Sequence, residues 1–346
     1  MAEAVVEQPP GTSGNPLAET RAPAPGGGSP WRIGLRRLRR KRVALAFGAL
    51  FALLVLACVL APVWANDVAH TSPDATHLNQ TIEQDGRQVD IVSPDGVPIG
   101  PTWRGQYFLG ADQIGRDVMV RLLYGGRNSL FIGVTAALIT TLLGTFLGLL
   151  AGYARGWVDG VLTRIFDVIW AFPALLLGIA LGTALALGGL SIGPITIAGG
   201  SLAIPILVIA LVYVPYIARP IRGEVLSLQE QEFVAAARTQ GAGPLRVMVG
   251  ELLPNLASTV LVMFTLLVAN AILLEAALSF LGAGVQPPDT SWGTMIQEGV
   301  QLITASPHLT VMPGLMLVLT VLSLNVFGDG VREALDPKAR SVQEQT

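Results

Sequence analysis

Long runs without a charged residue, set apart by short polar stretches, are the dominant pattern of this chain. Residues 43–66 carry no charge and suffice to cross a bilayer, whose hydrocarbon core takes about 20 residues of helix. Residues 128–154 form a second such run. Gly144, Gly148 and Gly152 recur in it at every fourth position, so one helix face is bare backbone that lets another helix approach closely. Residues 168–218 hold 51 positions without a charge, about twice one span. Gly188-Gly189, Gly193-Pro194 and Gly199-Gly200 divide that run into spans three and four. Residues 252–274 and about 308–327 give spans five and six. The pattern predicts an all-α integral membrane protein with six transmembrane helices.

Between spans four and five lies a polar insertion, residues 221–254, that reads as two short helices with a break. Phe233, Val234 and Ala237 recur at helical spacing, while Glu232, Arg238 and Gln240 fall largely elsewhere. Gly241 and Gly243 end the first helix, and Pro244 suits the first turn of the second. Leu245, Met248, Val249 and Leu252 are expected to form an apolar stripe on that second helix. A bland alternative is an amphipathic interfacial helix with no partner.

The polar segments complete the map. Residues 1–30, rich in Pro, Gly, Ala and Ser, are expected to form a disordered tail. Residues 31–66 comprise a basic segment, with Arg36, Arg37, Arg39, Arg40, Lys41 and Arg42, and the first span. Val63-Trp64-Ala65 would suit a signal-peptidase site, but the apolar run exceeds a signal core, and an uncleaved span is expected. Residues 67–127 read as an external loop, with a β-hairpin at Asp85-Gly86 inside an insertion over 80–101 and an interfacial amphipathic helix before span two. Residues 128–328 would be the membrane core and 329–346 a C-terminal tail.

Composition agrees: 51% of residues are hydrophobic and 13% charged, and the mean hydropathy is +0.58. Soluble domains carry about 25% charged residues. The single cysteine, Cys58, rules out a disulfide within the chain, and three scattered histidines make a metal site unexpected. Charge also sets the predicted orientation. With six spans, the terminal segments and the two loops on their side hold 17 of the 22 Lys and Arg residues, against 5 on the opposite side. Arginine excess marks the cytoplasm, so both termini and the 221–254 insertion are expected there.

No nucleotide-cradling loop occurs, and the only lysines are Lys41 and Lys338; His-Glu-x-x-His and Gly-x-Ser-x-Gly are absent as well. The chain is therefore expected not to be an enzyme. Two carboxylates near span ends are candidates for a gating or a structural role. Asp167 follows Arg164 by three residues, the spacing of an ion pair, and Glu275 could face a pathway or reach interfacial water.

Four segments carry a resemblance. Ala235-Ala236-Ala237, Gly241 and Leu253-Pro254 resemble the coupling loop of ABC importer permeases, written Glu-Ala-Ala, three residues, Gly, nine residues, Ile-x-Leu-Pro. Ala235 stands where that pattern has glutamate, and Glu232, three residues earlier on the same face, could substitute. Leu109-Gly-Ala-Asp112-Gln-Ile-Gly115-Arg116-Asp117, Glu275-Ala-Ala-Leu-Ser-Phe280-Leu-Gly282 through Trp292, and Asn325 through Pro337 are similar to segments of the dipeptide, oligopeptide and nickel permeases, most closely the second permease subunit of dipeptide/oligopeptide importers.

The resemblance implies a plasma-membrane permease that moves peptides, with nickel or another small solute as alternatives. It implies pairing with a second, similar permease, two ATPase subunits that hold ATP and Mg, and an external solute-binding protein. It places coupling to the ATPases on Glu232, Phe233, Ala235, Ala236, Ala237, Arg238, Gly241, Pro244, Leu253 and Pro254. A self-contained secondary transporter or channel is the competing class; such proteins usually show inverted repeats and mid-membrane charges.

Overall fold

The computed structural model describes residues 36–84 and 86–335. The expected N-terminal tail, 1–30, and the last residues, 336–346, lie outside them. The described helices of eight or more residues are α1 (Arg42–Val59), α2 (Val118–Ala154), α3 (Gly156–Trp170), α4 (Ala174–Gly188), α5 (Ala203–Leu228), α6 (Glu232–Thr239), α7 (Pro244–Phe280), α8 (Trp292–Val300) and α9 (His308–Leu335). Two hairpins interrupt them, β1–β2 (Thr81–Gln84 with Arg87–Asp90) and β3–β4 (Leu190–Ile192 with Ile195–Ile197).

By length and apolarity α1, α2, α5, α7 and α9 can each cross a membrane; α3 and α4, bent by 87° at their break, make a sixth if the pair counts as one span. The break falls at Ala171-Phe172-Pro173. Proline has no N–H for the helix ladder and its ring clashes with the preceding turn. Residues 155–164, expected as a short loop, are mostly helical: Arg155 and Gly156, at φ 51° and 60°, make the turn, and α3 starts at once. Leu162 and the fully buried Phe166 then pin α3 to α5.

The glycine face of α2 does what its spacing predicts. It lies on α5, and a methyl group added at Gly144, Gly148 or Gly152 would come within 2.7 Å of Ile217, 2.5 Å of the Ala218 carbonyl oxygen or 2.8 Å of Val225. This pair of helices forms the centre of the bundle, with α7 on α2 and with α1 and α9 side by side.

The interfacial helix expected before span two is not a separate element. Residues 118–154 are one rod of 37 residues, about 55 Å long at 1.5 Å per residue, which overreaches a hydrocarbon core of about 30 Å. Gly125-Gly126 does not break it, because those glycines are packing surfaces: a methyl at Gly126 would sit 2.5 Å from the Trp292 ring and 2.6 Å from the Cys58 sulfur. Trp292 is fully buried, and its indole N–H donates to the Leu122 carbonyl at 3.0 Å. Truncating it in Trp292→Ala removes the seat of the N-terminal half of α2. The expected loss is about 3–5 kcal/mol, read as a lower midpoint for detergent-solubilised thermal unfolding.

The rod starts at Asp117, whose side chain accepts from the N–H of Val120 at 3.0 Å and of Tyr107 at 2.6 Å. Burial pushes its carboxyl above the usual range, and those N–H bonds pull it partly back. Beside it Arg121 donates to Asp112 and to Glu298, both at 2.6 Å, and Arg116 donates to the same two carboxylates at 2.6 and 2.9 Å. The Gly115-Arg116-Asp117 segment is thus a structural knot that ties α2 to α8. The hairpin expected in this region forms, with β1 antiparallel to β2, Gln84 opposite Arg87 and Gly86 at φ 78°; Asp85 lies outside the described residues. The segment from Asn325 onward is helical to Leu335, so α9 runs through the first part of what was expected as a tail.

Candidate functional site

The polar insertion folds as a hairpin of helices at one end of the bundle. Its first residues, 221–228, continue α5; Gln229–Gln231 then make the turn into α6. Glu232 occupies the first turn of α6, where its negative charge complements the positive end of the helix. Val234 is fully buried, Phe233 and Ala237 partly so, and Ala235 and Ala236 are exposed. The helix therefore buries one narrow face and presents its alanines outward.

Its end is fixed by hydrogen bonds. The Ala242 N–H donates to Ala237 and the Gly241 N–H to Arg238, each at 3.0 Å, with Gly241 at φ 81°. This is the paired-bond termination that requires a left-handed residue, which glycine adopts without penalty. Gly243 is extended, and Pro244 opens the next helix at its first position, where its missing N–H costs nothing. Both predicted breakpoints stand where the sequence put them.

The apolar stripe expected on the second helix is different. Val247 and Leu252 are fully buried and Met248 partly, whereas Leu245 is 70% and Val249 53% exposed. Residues Val247–Leu252 form a π-helical turn, in which bonds span five residues rather than four. That wider turn brings positions 247 and 252 to the same face. Pro254 follows it and has no N–H to donate to the Gly250 carbonyl, which favours an irregular turn at this place. Leu253 and Pro254 are exposed on the flank of the rod.

Two side chains strap α6 to the end of α2. The Gln229 amide donates to the Gly152 carbonyl at 2.6 Å, and Arg238 donates to the Gln229 side-chain oxygen at 3.0 Å. The Arg238 guanidinium also lies 5.5 Å over the ring of Tyr153. Behind the loop Thr259 of α7 donates to Glu224 of α5 at 3.1 Å. Short, directed contacts thus tie α6 to α2, and behind it α5 to α7. Gln229 and Tyr153 carry no signal of this role in the sequence, since their positions relative to α6 are set by tertiary packing.

The two carboxylates sit apart from this hairpin. Asp167 does not pair with Arg164; it accepts from Arg219 of α5 at 2.6 Å, and Arg219 stacks 4.3 Å over Trp170. A partner held by a packed neighbouring helix wins over the local i−3 neighbour. One helical turn away Arg222 grips Asp159 with two bonds of 2.5 and 2.7 Å, a pair that spacing along the sequence does not reveal. Glu275 does not reach water: it is fully buried on α7 and accepts from Ser279 at 2.7 Å. Ser279 in turn accepts from the N–H of Val285, so the Glu-x-x-x-Ser segment braces the turn after α7.

These elements define a multi-pass helical membrane protein with a polar helical hairpin at one end. The chain belongs to the family described as binding-protein-dependent transport system inner membrane component, whose sequence pattern matches residues 144–341. Residues 29–84 match the N-terminal TM domain of oligopeptide transport permease C. The glutathione transport system permease protein GsiD of Escherichia coli O157:H7 is 36% identical over 312 residues, covering 90% of this chain and 92% of that protein. The dipeptide transport system permease protein DppC of Alkalihalophilus pseudofirmus is 35% identical over 314 residues, covering 90% and 91%. Among solved structures, an inward-facing form of the MetNI methionine ABC transporter shares the fold at a TM-score of 0.51 and 18% identity, covering 63% of this chain and 97% of that one.

Proposed function

We propose that this chain is the membrane-spanning subunit of an ATP-driven importer for short peptides, and that α6 receives the stroke of separate ATPase subunits. The observation that carries the reading is the α6 hairpin: a short helix with an outward alanine face, rigidly terminated at Gly241 and strapped to α2 through Arg238 and Gln229. The peptide cargo is supported by the names of the relatives, glutathione and dipeptide permeases. ATP and Mg are held by the partner subunits, a second permease of the same kind completes the path, and a solute-binding protein delivers the peptide from outside. The excess of arginines on the hairpin side supports cytoplasmic termini in a bacterial plasma membrane.

In this mechanism ATPase closure shifts a pre-existing balance between two arrangements of the bundle. The push enters through α6, passes to the α2–α5 centre, and is taken up at the broken third crossing, where α3 and α4 meet at Pro173. The Asp167–Arg219 pair ties α3 to α5 beside that break and serves as a latch on one arrangement. It is half exposed, so its loss costs the fold less than about 1 kcal/mol. Asp167→Asn is therefore expected to leave protein levels unchanged and to alter ATP-dependent peptide uptake, with the exchange Asp167→Arg/Arg219→Asp restoring part of the change. Wild-type uptake in both variants would remove the latch.

The reading as a whole is tested by uptake of a labelled dipeptide into cells that lack the chain and into cells that regain it. Restored, ATP-dependent uptake supports it. Uptake that persists without ATPase partners would indicate a self-contained transporter instead.

A further inference from the structure

The two helices at the edge of the bundle, α1 and α9, enclose an open cleft of about 530 Å³ where the first turn of α1 meets the last turns of α9. We propose that this cleft binds the phosphate headgroup of an anionic phospholipid, with its acyl chains lying along the exposed flank of α1. The inference goes beyond the transport reading and stands without it.

Three observations carry it. The first is charge. Arg40, Lys41 and Arg42 line the cleft with the carboxylates of Asp329 and Glu333, and Arg36, Arg37 and Arg39 stand just ahead of it. Lys41 is spent on an ion pair with Glu333, which bridges α1 to α9. Among the described residues no carboxylate is paired with Arg40 or Arg42, both of which are exposed. The balance of the lining is positive even with Asp329 counted against it, and a guanidinium offers the forked donors that fit a phosphate.

The second is shape. Gly330 lies so close to α1 that a methyl group there would come within 2.3 Å of the Ala44 side chain, and Gly48 meets Phe327 in the same way at 2.7 Å. The floor of the cleft is thus a tight helix contact rather than a mobile gap. The third is what adjoins it. Val43, Leu45, Leu53, Leu56 and Val59 are all at least 40% exposed, so α1 continues the cleft as an apolar flank across the membrane. A basic rim at the end of a span, joined to an apolar flank, matches a lipid with a negative headgroup and two chains. A soluble phosphate would use the rim alone.

The test uses the full chain, as purified from its membrane with whatever subunits accompany it, in nanodiscs of phosphatidylglycerol, phosphatidylcholine or their mixture, with the lipids retained on release into detergent counted by native mass spectrometry. Wild-type protein is expected to retain phosphatidylglycerol in preference to phosphatidylcholine. Arg40→Gln/Arg42→Gln should weaken that retention about 30-fold, the loss expected for two basic groups at a membrane surface, while Arg40→Lys/Arg42→Lys keeps most of it. Equal retention of the two lipids, or an unchanged glutamine variant, overturns the proposal. So does displacement by glycerol phosphate at low millimolar concentration, which would make the ligand a soluble phosphate. Should the glutamine variant fail to insert, a phosphatidylglycerol with a photoreactive chain decides on the wild-type chain. Labelling concentrated near Leu45 rather than at Leu142, an exposed residue of α2, supports the site, and uniform labelling refutes it.

Discussion

Gly241→Val abolishes peptide uptake while the protein still inserts and accumulates in the membrane. Gly241 holds φ 81°, and a β-branched residue there is strained by about 1–3 kcal/mol even though the space around it is open. The strain is local, because no buried side chain depends on that position. What it disturbs is the pair of hydrogen bonds from Gly241 and Ala242 that ends α6, and with them the angle at which α6 meets Pro244 and the π-helical turn. A stroke delivered to a frayed helix is absorbed in the loop. Uptake and membrane content measured on the same cells check this: loss of the first with retention of the second is expected, and normal uptake removes α6 from the transmission.

Gly148→Val has the opposite signature, loss of the protein itself. A methyl at this position would lie 2.5 Å from the Ala218 carbonyl oxygen and 3.0 Å from Ile221, both fixed on α5. Backbone cannot step aside as a flexible side chain can, so α2 and α5 must separate, at a cost of about 3 kcal/mol or more in the centre of the bundle. Membrane-inserted protein, followed by blotting and by size-exclusion in mild detergent, should fall sharply or aggregate. A monodisperse variant at wild-type level would show that the glycine face is not a packing surface. The two glycines thus separate function from fold: one needs a left-handed backbone at the surface, the other needs the absence of a side chain in the interior.

Local chemistry makes much of this architecture legible in the sequence. Charge-free runs of the right length mark the crossings, a glycine at every fourth position marks the α2–α5 contact, and Gly86, at φ 78°, marks the hairpin of β1–β2. Gly241 and Pro244 likewise bound the helices of the hairpin, because backbone conformation at those positions depends on the residue itself. The rest depends on partners far away in the chain. The interfacial helix expected before span two merges into α2, where Trp292, more than 160 residues later, packs against Gly126. Asp167 reads as a partner of Arg164 until α5 brings Arg219 closer. The π-helical turn at Val247–Leu252 puts Val247 rather than Leu245 and Val249 on the buried face with Leu252, and a stripe counted at 3.6 residues per turn cannot anticipate it. Each miss is a case where tertiary packing outvotes a local rule.

A chain that is one part of a machine driven from outside itself should come out of the membrane with the rest of that machine, and the composition of the native particle tests this most directly. The chain is purified from its own membrane in mild detergent, and the subunits that come with it are identified and counted by mass. The predicted result is two ATPase subunits carrying phosphate-binding loops and one further permease of the same fold, with the ATPases lost when Gly241→Val or an Arg238→Glu change disturbs α6. A stable particle built from this chain alone, active in uptake without ATP, would contradict it and reduce the α6 hairpin to a helix lying at the membrane surface.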